Sequence, residues 1–297
     1  MKTTASMRSR RTSLMVALLT AILACPSFGQ AGPSAENATV PRRLAPGVMV
    51  TIPPDIQATD TVSQTDIMEL TRADAGFDFA KNVRFRRDIW YLQFSFKQSV
   101  RMVWIDIPQA DGHMKRRLVW YLLYSVTNRG DGLTSVEQAD ETFKVEPIQK
   151  PVRFIPDFTL FAQDAEIDRE YPECVVPLAL GPIATRERIG QKLFTTQTMP
   201  KTEIAVGETR WGVAMWENID PRVDFFSLYV GGLTNAYRWQ DRPEEYRPGV
   251  DPIAKGRTFQ RKTLRLNFWR PGDEYDEMES EIRYGIPGQV DYAWVYR

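Results

Sequence analysis

The sequence predicts an all-β protein, an immunoglobulin-like antiparallel β-sandwich with an insertion and few short helices. Three observations carry this expectation. About ten short apolar segments follow one another from residue 83 onward, separated by turn-forming Gly, Pro, Asn and Asp. One of them, RLVWYLLYSVTNRGDG at 117–132, is apolar on both faces: Leu118, Trp120, Leu122, Tyr124 and Val126 on one, Val119, Tyr121 and Leu123 on the other. Such a strand must be covered twice, which places it in the middle of a sheet. Its apolar run of about nine residues falls short of the roughly 20 that a membrane span requires. Finally, no repeat with a period of about 20–50 residues is visible, which disfavours a propeller or solenoid.

Taken in order, the chain opens with a secretory signal peptide at residues 1–31. Lys2, Arg8, Arg10 and Arg11 precede an apolar run at 14–24, and small residues follow. Cleavage after Gly29 or Ala31 fits the small-residue rule. The alternative is acylation at Cys25, after Ile22-Leu23-Ala24; Leu23 and the following Pro26 weaken it. Removing residues 1–31 leaves 34 of the 38 Lys and Arg against 38 Asp and Glu, a net charge of −4. A mildly acidic exported protein is a poor nucleic-acid binder, because phosphate contacts need a basic surface. Without Cys25, Cys174 stands alone and no intramolecular disulfide is possible, so the domain relies on its core.

Residues 32–82 read as a Pro-rich tether, punctuated by Pro33, Pro41, Pro46, Pro53 and Pro54. A short helix at 62–73 would bring Ile67, Met68 and Leu70 to one side. The sandwich occupies residues 83–297. Trp90, Leu92, Phe94 and Phe96 alternate with Tyr91, Gln93, Ser95 and Lys97 as a half-buried strand. Strands at 100–107 and 117–127 follow, then candidates at 142–145, 152–161, 174–179 and 202–206, with a helical turn at 185–192. A long hairpin is expected over 211–230, turning at 217–222. A strand at 264–269 and a final pair, 281–286 with 290–296, close the pattern.

Two resemblances accompany these segments. Val126-Thr127-Asn128-Arg129-Gly130 is similar to the strand-to-loop signature of bacterial immunoglobulin-like modules. A longer set resembles a family of uncharacterised exported bacterial proteins of the planctomycete kind. It comprises Leu118-Val119-Trp120-Tyr121, Trp211-Gly212-Val213-Ala214, Asp220-Pro221-Arg222 with Asp224-Phe225-Phe226, Gly232-Leu233-Thr234-Asn235, and 266–274. That resemblance spans 83–297; it implies export and a single module, and it transfers no site.

Chemistry is sparse. His113 is the only histidine and sits beside the Asp111-Gly112 turn, so a Ser-His-Asp or Cys-His machine would depend on it alone. Zinc would find one His and one Cys, and neither a metal nor a cofactor is expected. Cys174 reads as a small buried hydrophobe. Glu217, Asp220 and Asp224 gather around a turn and could hydrolyse a glycoside if suitably spaced; Asp before Pro, and Arg222 nearby, supply a structural account. The run DEYDEMESE at 273–281 lacks the central glycine and spacing of a calcium loop and reads as a solvated segment. Tyr237 and Trp239, heading a polar loop after Gly231-Gly232, are the candidate ligand-binding residues, as rings on which a sugar could stack. The expectation is a non-enzymatic structural or interaction protein of the periplasm or cell envelope, its partner an envelope protein or polysaccharide. It would touch a membrane only if Cys25 is lipidated. A carbohydrate-binding module comes second, and a carboxylate hydrolase third.

Overall fold

The computed structural model describes residues 48–61, 88–139, 143–164, 167–245, 255–271 and 281–297. In chain order the strands are β1 (Met49–Ile52), β2 (Ile89–Trp90), β3 (Gln93–Lys97), β4 (Arg101–Pro108), β5 (Met114–Thr127), β6 (Gly132–Glu137), β7 (Phe143–Ile148), β8 (Asp157–Asp164) and β9 (Ile167–Pro172). Helix α1 (Pro177–Glu187) separates these from β10 (Leu193–Phe194), β11 (Thr209–Glu217), β12 (Phe225–Gly231), β13 (Tyr237–Asp241), β14 (Arg257–Trp269), β15 (Arg283–Tyr284) and β16 (Tyr292–Tyr296).

The doubly apolar strand is central, as its composition requires. β5 is antiparallel to β11 along one edge; along the other it pairs with β4 over its first half and β3 over its second. β1 on β3 and β10 on β11 complete this six-stranded sheet. The second, seven-stranded sheet is ordered β13-β14-β12-β8-β9, with β15 and β16 also on β14. β2, β6 and β7 form a small third sheet. The fold is an all-β sandwich: Phe94, Phe96, Trp120, Leu122 and Tyr124 of the first sheet share one buried cluster with Phe158, Leu160, Phe226, Leu228, Leu266 and Phe268 of the second.

The other face of β5 is covered by the helix. Val119 and Tyr121, with Ile105, Val213 and Met215, pack against Val176, Ala179 and Ile183. This corrects the strand expected at 174–179. Pro177 stands at the first helical position, where its fixed φ is favourable and its missing N–H costs nothing, and Ala179 and Ile183 recur at helical spacing. The helix ends at Glu187, with Arg188 left-handed at φ 52°, earlier than the turn expected at 185–192.

Other expectations are also revised. The hairpin over 211–230 is a crossover: β11 lies in the first sheet and β12 in the second, so the 217–222 turn carries the chain across the sandwich. The final pair is not a pair, because β15 and β16 each dock on β14. The strand at 202–206 shrinks to a bridge between Ile204 and Val152. Part of the supposed tether belongs to the fold: β1 pairs with β3, and Asp60 and Thr61 are buried. The signal peptide expected at 1–31, residues 62–82 with their expected helix, and most of the acidic run at 273–281 lie outside the described residues.

One cross-strand pair fixes the packing of the central strand. Gly212 lies opposite Tyr124, and a Cβ added to it would sit 2.3 Å from the Tyr124 ring. The tyrosine therefore lies down over a glycine, in the manner by which an aromatic ring compensates for a missing side chain in a sheet. Gly212→Ala should cost about 1–3 kcal/mol in urea denaturation, the usual penalty of overpacking. The buried Tyr124 hydroxyl finds no partner among the described residues, so Tyr124→Phe should be neutral or stabilising in the same assay.

Candidate functional site

Charged groups at inward positions mark the places where chemistry could reside. On β14, Lys262 shares its strand face with Leu264, Leu266 and Phe268, and it is 1% exposed. Its Nζ donates to Asp60 Oδ2 at 2.7 Å and to the Asp55 carbonyl at 2.6 Å, and the Asp55 carboxylate lies 3.0 Å away. Asp60 also accepts hydrogen bonds from the hydroxyls of Tyr91, at 2.9 Å, and Tyr296. Burial, reinforced by the Asp60 carboxylate, pushes both phenols well above their ordinary range, so neither supplies a proton near neutrality. The cluster ties four separate segments together.

The second charged centre closes the helix. Along α1 the stripe Ala179, Ile183 continues to Glu187, whose carboxylate is 1% exposed. It accepts hydrogen bonds from Lys97 Nζ at 2.6 Å, Arg101 at 3.1 Å and the Tyr121 hydroxyl at 2.5 Å. Burial opposes ionisation of Glu187, but the bonds from Lys97 and Tyr121 and the nearby cationic charges outweigh it and hold its pKa below the ordinary value. β3, β4, β5 and α1 thus meet at one carboxylate.

Residues singled out in the sequence are dispersed. His113 lies exposed in the β4–β5 turn, its N–H bonded to Asp111 at 3.0 Å. Cys174 is half-buried and burial raises its pKa, which keeps it a thiol. Of the three carboxylates near 217–222, Glu217 faces Arg117 at 3.5 Å and Asp220 is gripped by Arg222, which lowers its pKa to about 2. Asp224 is raised by burial and by Asp164, against the pull of Arg270. Asp164 itself accepts the N–H groups of Asp224 and Phe225 at 2.7 and 3.0 Å, an anchor for the start of β12. Among the described residues no group of His, Cys, Asp and Glu is placed to hold a metal ion.

Tyr237 and Trp239 require a correction. They stand on β13, paired with β14, where a polar loop is expected from the sequence. Trp239 lies directly opposite Phe259 and is 8% exposed, and its ring is inclined 34° to that of Tyr237. With Phe259 they make a three-ring cluster, and Arg257 stacks on Trp239 at 4.9 Å. A flat exposed pair, which sugar stacking would need, is absent from these two residues. Compared with known protein families, curated proteins and solved structures, the chain matches none.

Lys262 and Glu187 were missed because a charge inside an apolar period reads as an interruption of it. The signal is the register itself: each occupies the next inward position of its element.

Two measurements follow. Lys262→Met strands the Asp60 carboxylate and should cost about 3–5 kcal/mol, whereas Lys262→Met with Asp60→Leu should recover much of the loss in urea denaturation. The Glu187 contribution is fully present above the ordinary carboxylate pKa of 4.5 and is lost as pH falls through the depressed folded value. The gap in Tm between wild type and Glu187→Gln should therefore be wide at neutral pH and narrow well below pH 4.5.

Proposed function

We propose that this chain is a non-enzymatic structural or interaction protein, an exported immunoglobulin-like module of the periplasm or cell envelope. Support comes from one observation above all: Asp60, Lys262 and Glu187, charged groups at inward positions, bind elements to one another. Asp60, Lys262 and Glu187 each have several protein partners, and Asp164 is engaged by two backbone amides. A general acid or base has to be within reach of substrate, and Asp60, Lys262 and Glu187 are buried among protein partners instead. The basic, apolar and small-residue sequence at 1–31 and the resemblance of later segments to exported planctomycete-type proteins support export.

Cell fractionation with N-terminal sequencing tests the location. The expected N-terminus lies near Gln30 or Gly32, or at an acylated Cys25; a chain in the envelope that retains Met1 would overturn it. Purified protein should show no turnover of polysaccharide or ester substrates. Turnover that disappears in Asp224→Asn would defeat the non-enzymatic assignment and return the hydrolase.

A further inference from the structure

The hairpin of β4 and β5 outruns its sheet. β11 ends at Glu217, opposite Val119, so residues 114–118 have β4 as their neighbour and none on the other edge from β11. Residues directly opposite in an antiparallel pair point to the same side, and alternate residues share a face. One face of this ribbon therefore carries three rows: Trp104 with Leu118, Asp106 with Arg116, and Pro108 with Met114. The other carries Ile105 and Ile107, which pack into the helix-covered cluster.

The first face is unusual for a surface. Trp104 is 56% and Met114 62% exposed, and the charged row lies between them. Asp106 and Arg116 are opposite each other, yet among the described residues no hydrogen bond or ion pair joins them. Arg116 instead leans along the strand and stacks on Trp104 at 5.5 Å. Tryptophan, methionine and arginine are the residue types enriched where proteins bury each other.

We propose that this ribbon face docks on the same face of a second copy of the chain. The arrangement of its charges specifies how. Let a two-fold axis run between the copies, parallel to the strands. β4 of one copy then lies over β5 of the other, and Asp106 of each meets Arg116 of the other. The apolar rows coincide as well, Trp104 over Leu118 and Pro108 over Met114. An axis across the strands would set acid on acid and base on base, and is excluded by repulsion. The face is self-complementary in the isologous sense. With five exposed side chains per copy, Leu118 being half-buried against the sandwich core, it is smaller than the roughly 800 Å² per partner of a stable complex. The dimer is accordingly weak and transient. It goes beyond the envelope assignment and does not depend on it, since association is measured with purified protein.

Sedimentation equilibrium with charge reversal decides the matter. Wild type should shift from monomer toward dimer as concentration rises to about 1 mM. Asp106→Arg alone and Arg116→Asp alone should each weaken association at least about tenfold through like-charge contact. An equimolar mixture of the two variants should associate at least as well as wild type, because every contact is then between opposite charges. The double variant should return to the wild-type level. Thermal melts and circular dichroism establish that each variant is folded. A wild type that stays monomeric throughout, single variants that associate unchanged, or folded variants whose mixture fails to associate would each overturn the proposal.

Discussion

The structure depends on the burial of β5 from both sides. A strand with Trp120, Leu122 and Tyr124 on one face and Val119 and Tyr121 on the other leaves apolar surface in water unless two layers cover it. The second sheet is one layer and helix α1 the other. The asymmetry of the molecule follows from this. The inner face needs broad aromatic packing, with Tyr124 and Phe158 centroids 4.9 Å apart. The outer face needs only the narrow stripe of one helix. Tyr121 links the two requirements: its ring is part of the outer core and its hydroxyl reaches the carboxylate that ends the helix.

Buried ions are an unreliable source of stability, because removing two charges from water offsets most of their attraction. Their contribution here is better understood as direction. An apolar cluster tolerates many arrangements of similar volume, whereas Lys262 is satisfied only if Asp60 and the Asp55 carbonyl arrive together. The same holds for Glu187, whose three donors come from three different strands. Uniqueness of the fold, more than its depth in free energy, is what these groups supply.

Much of the fold was legible in the sequence because its strands are local patterns. Alternation marked β3, β11 and β14, and double-sided hydrophobicity marked β5. What was not legible depends on partners distant in sequence. Nothing local distinguishes a hairpin from a crossover at 217–222, since both need a turn there, and the choice rests on whether β12 finds β8 and β14 or finds β11. β15 and β16 look like a pair from their shared Pro287-Gly288 turn, but β14 is long enough to accept both. Trp239 looked like a loop residue because a polar stretch follows it; its neighbours Phe259 and Arg257 come from β14, which alternation alone could not assign to the facing strand. Pro177 at a helix start was readable and was outweighed by the apolar run Cys174–Ala179.

The Asp60 cluster has a consequence for how the chain is completed. Asp60 and Lys262 are separated by 202 positions, and Asp60 and Tyr296 by 236. Synthesis and any passage through a membrane pore deliver the N-terminal side first, so the Asp60 turn is present long before Lys262 and Tyr296, although β3 and Tyr91 can engage β1 and Asp60 early. Contacts at such separation also carry the largest loop-closure cost. The Asp60 turn is therefore among the first described parts to be made, and its cluster is complete only once β14 and β16 have joined it.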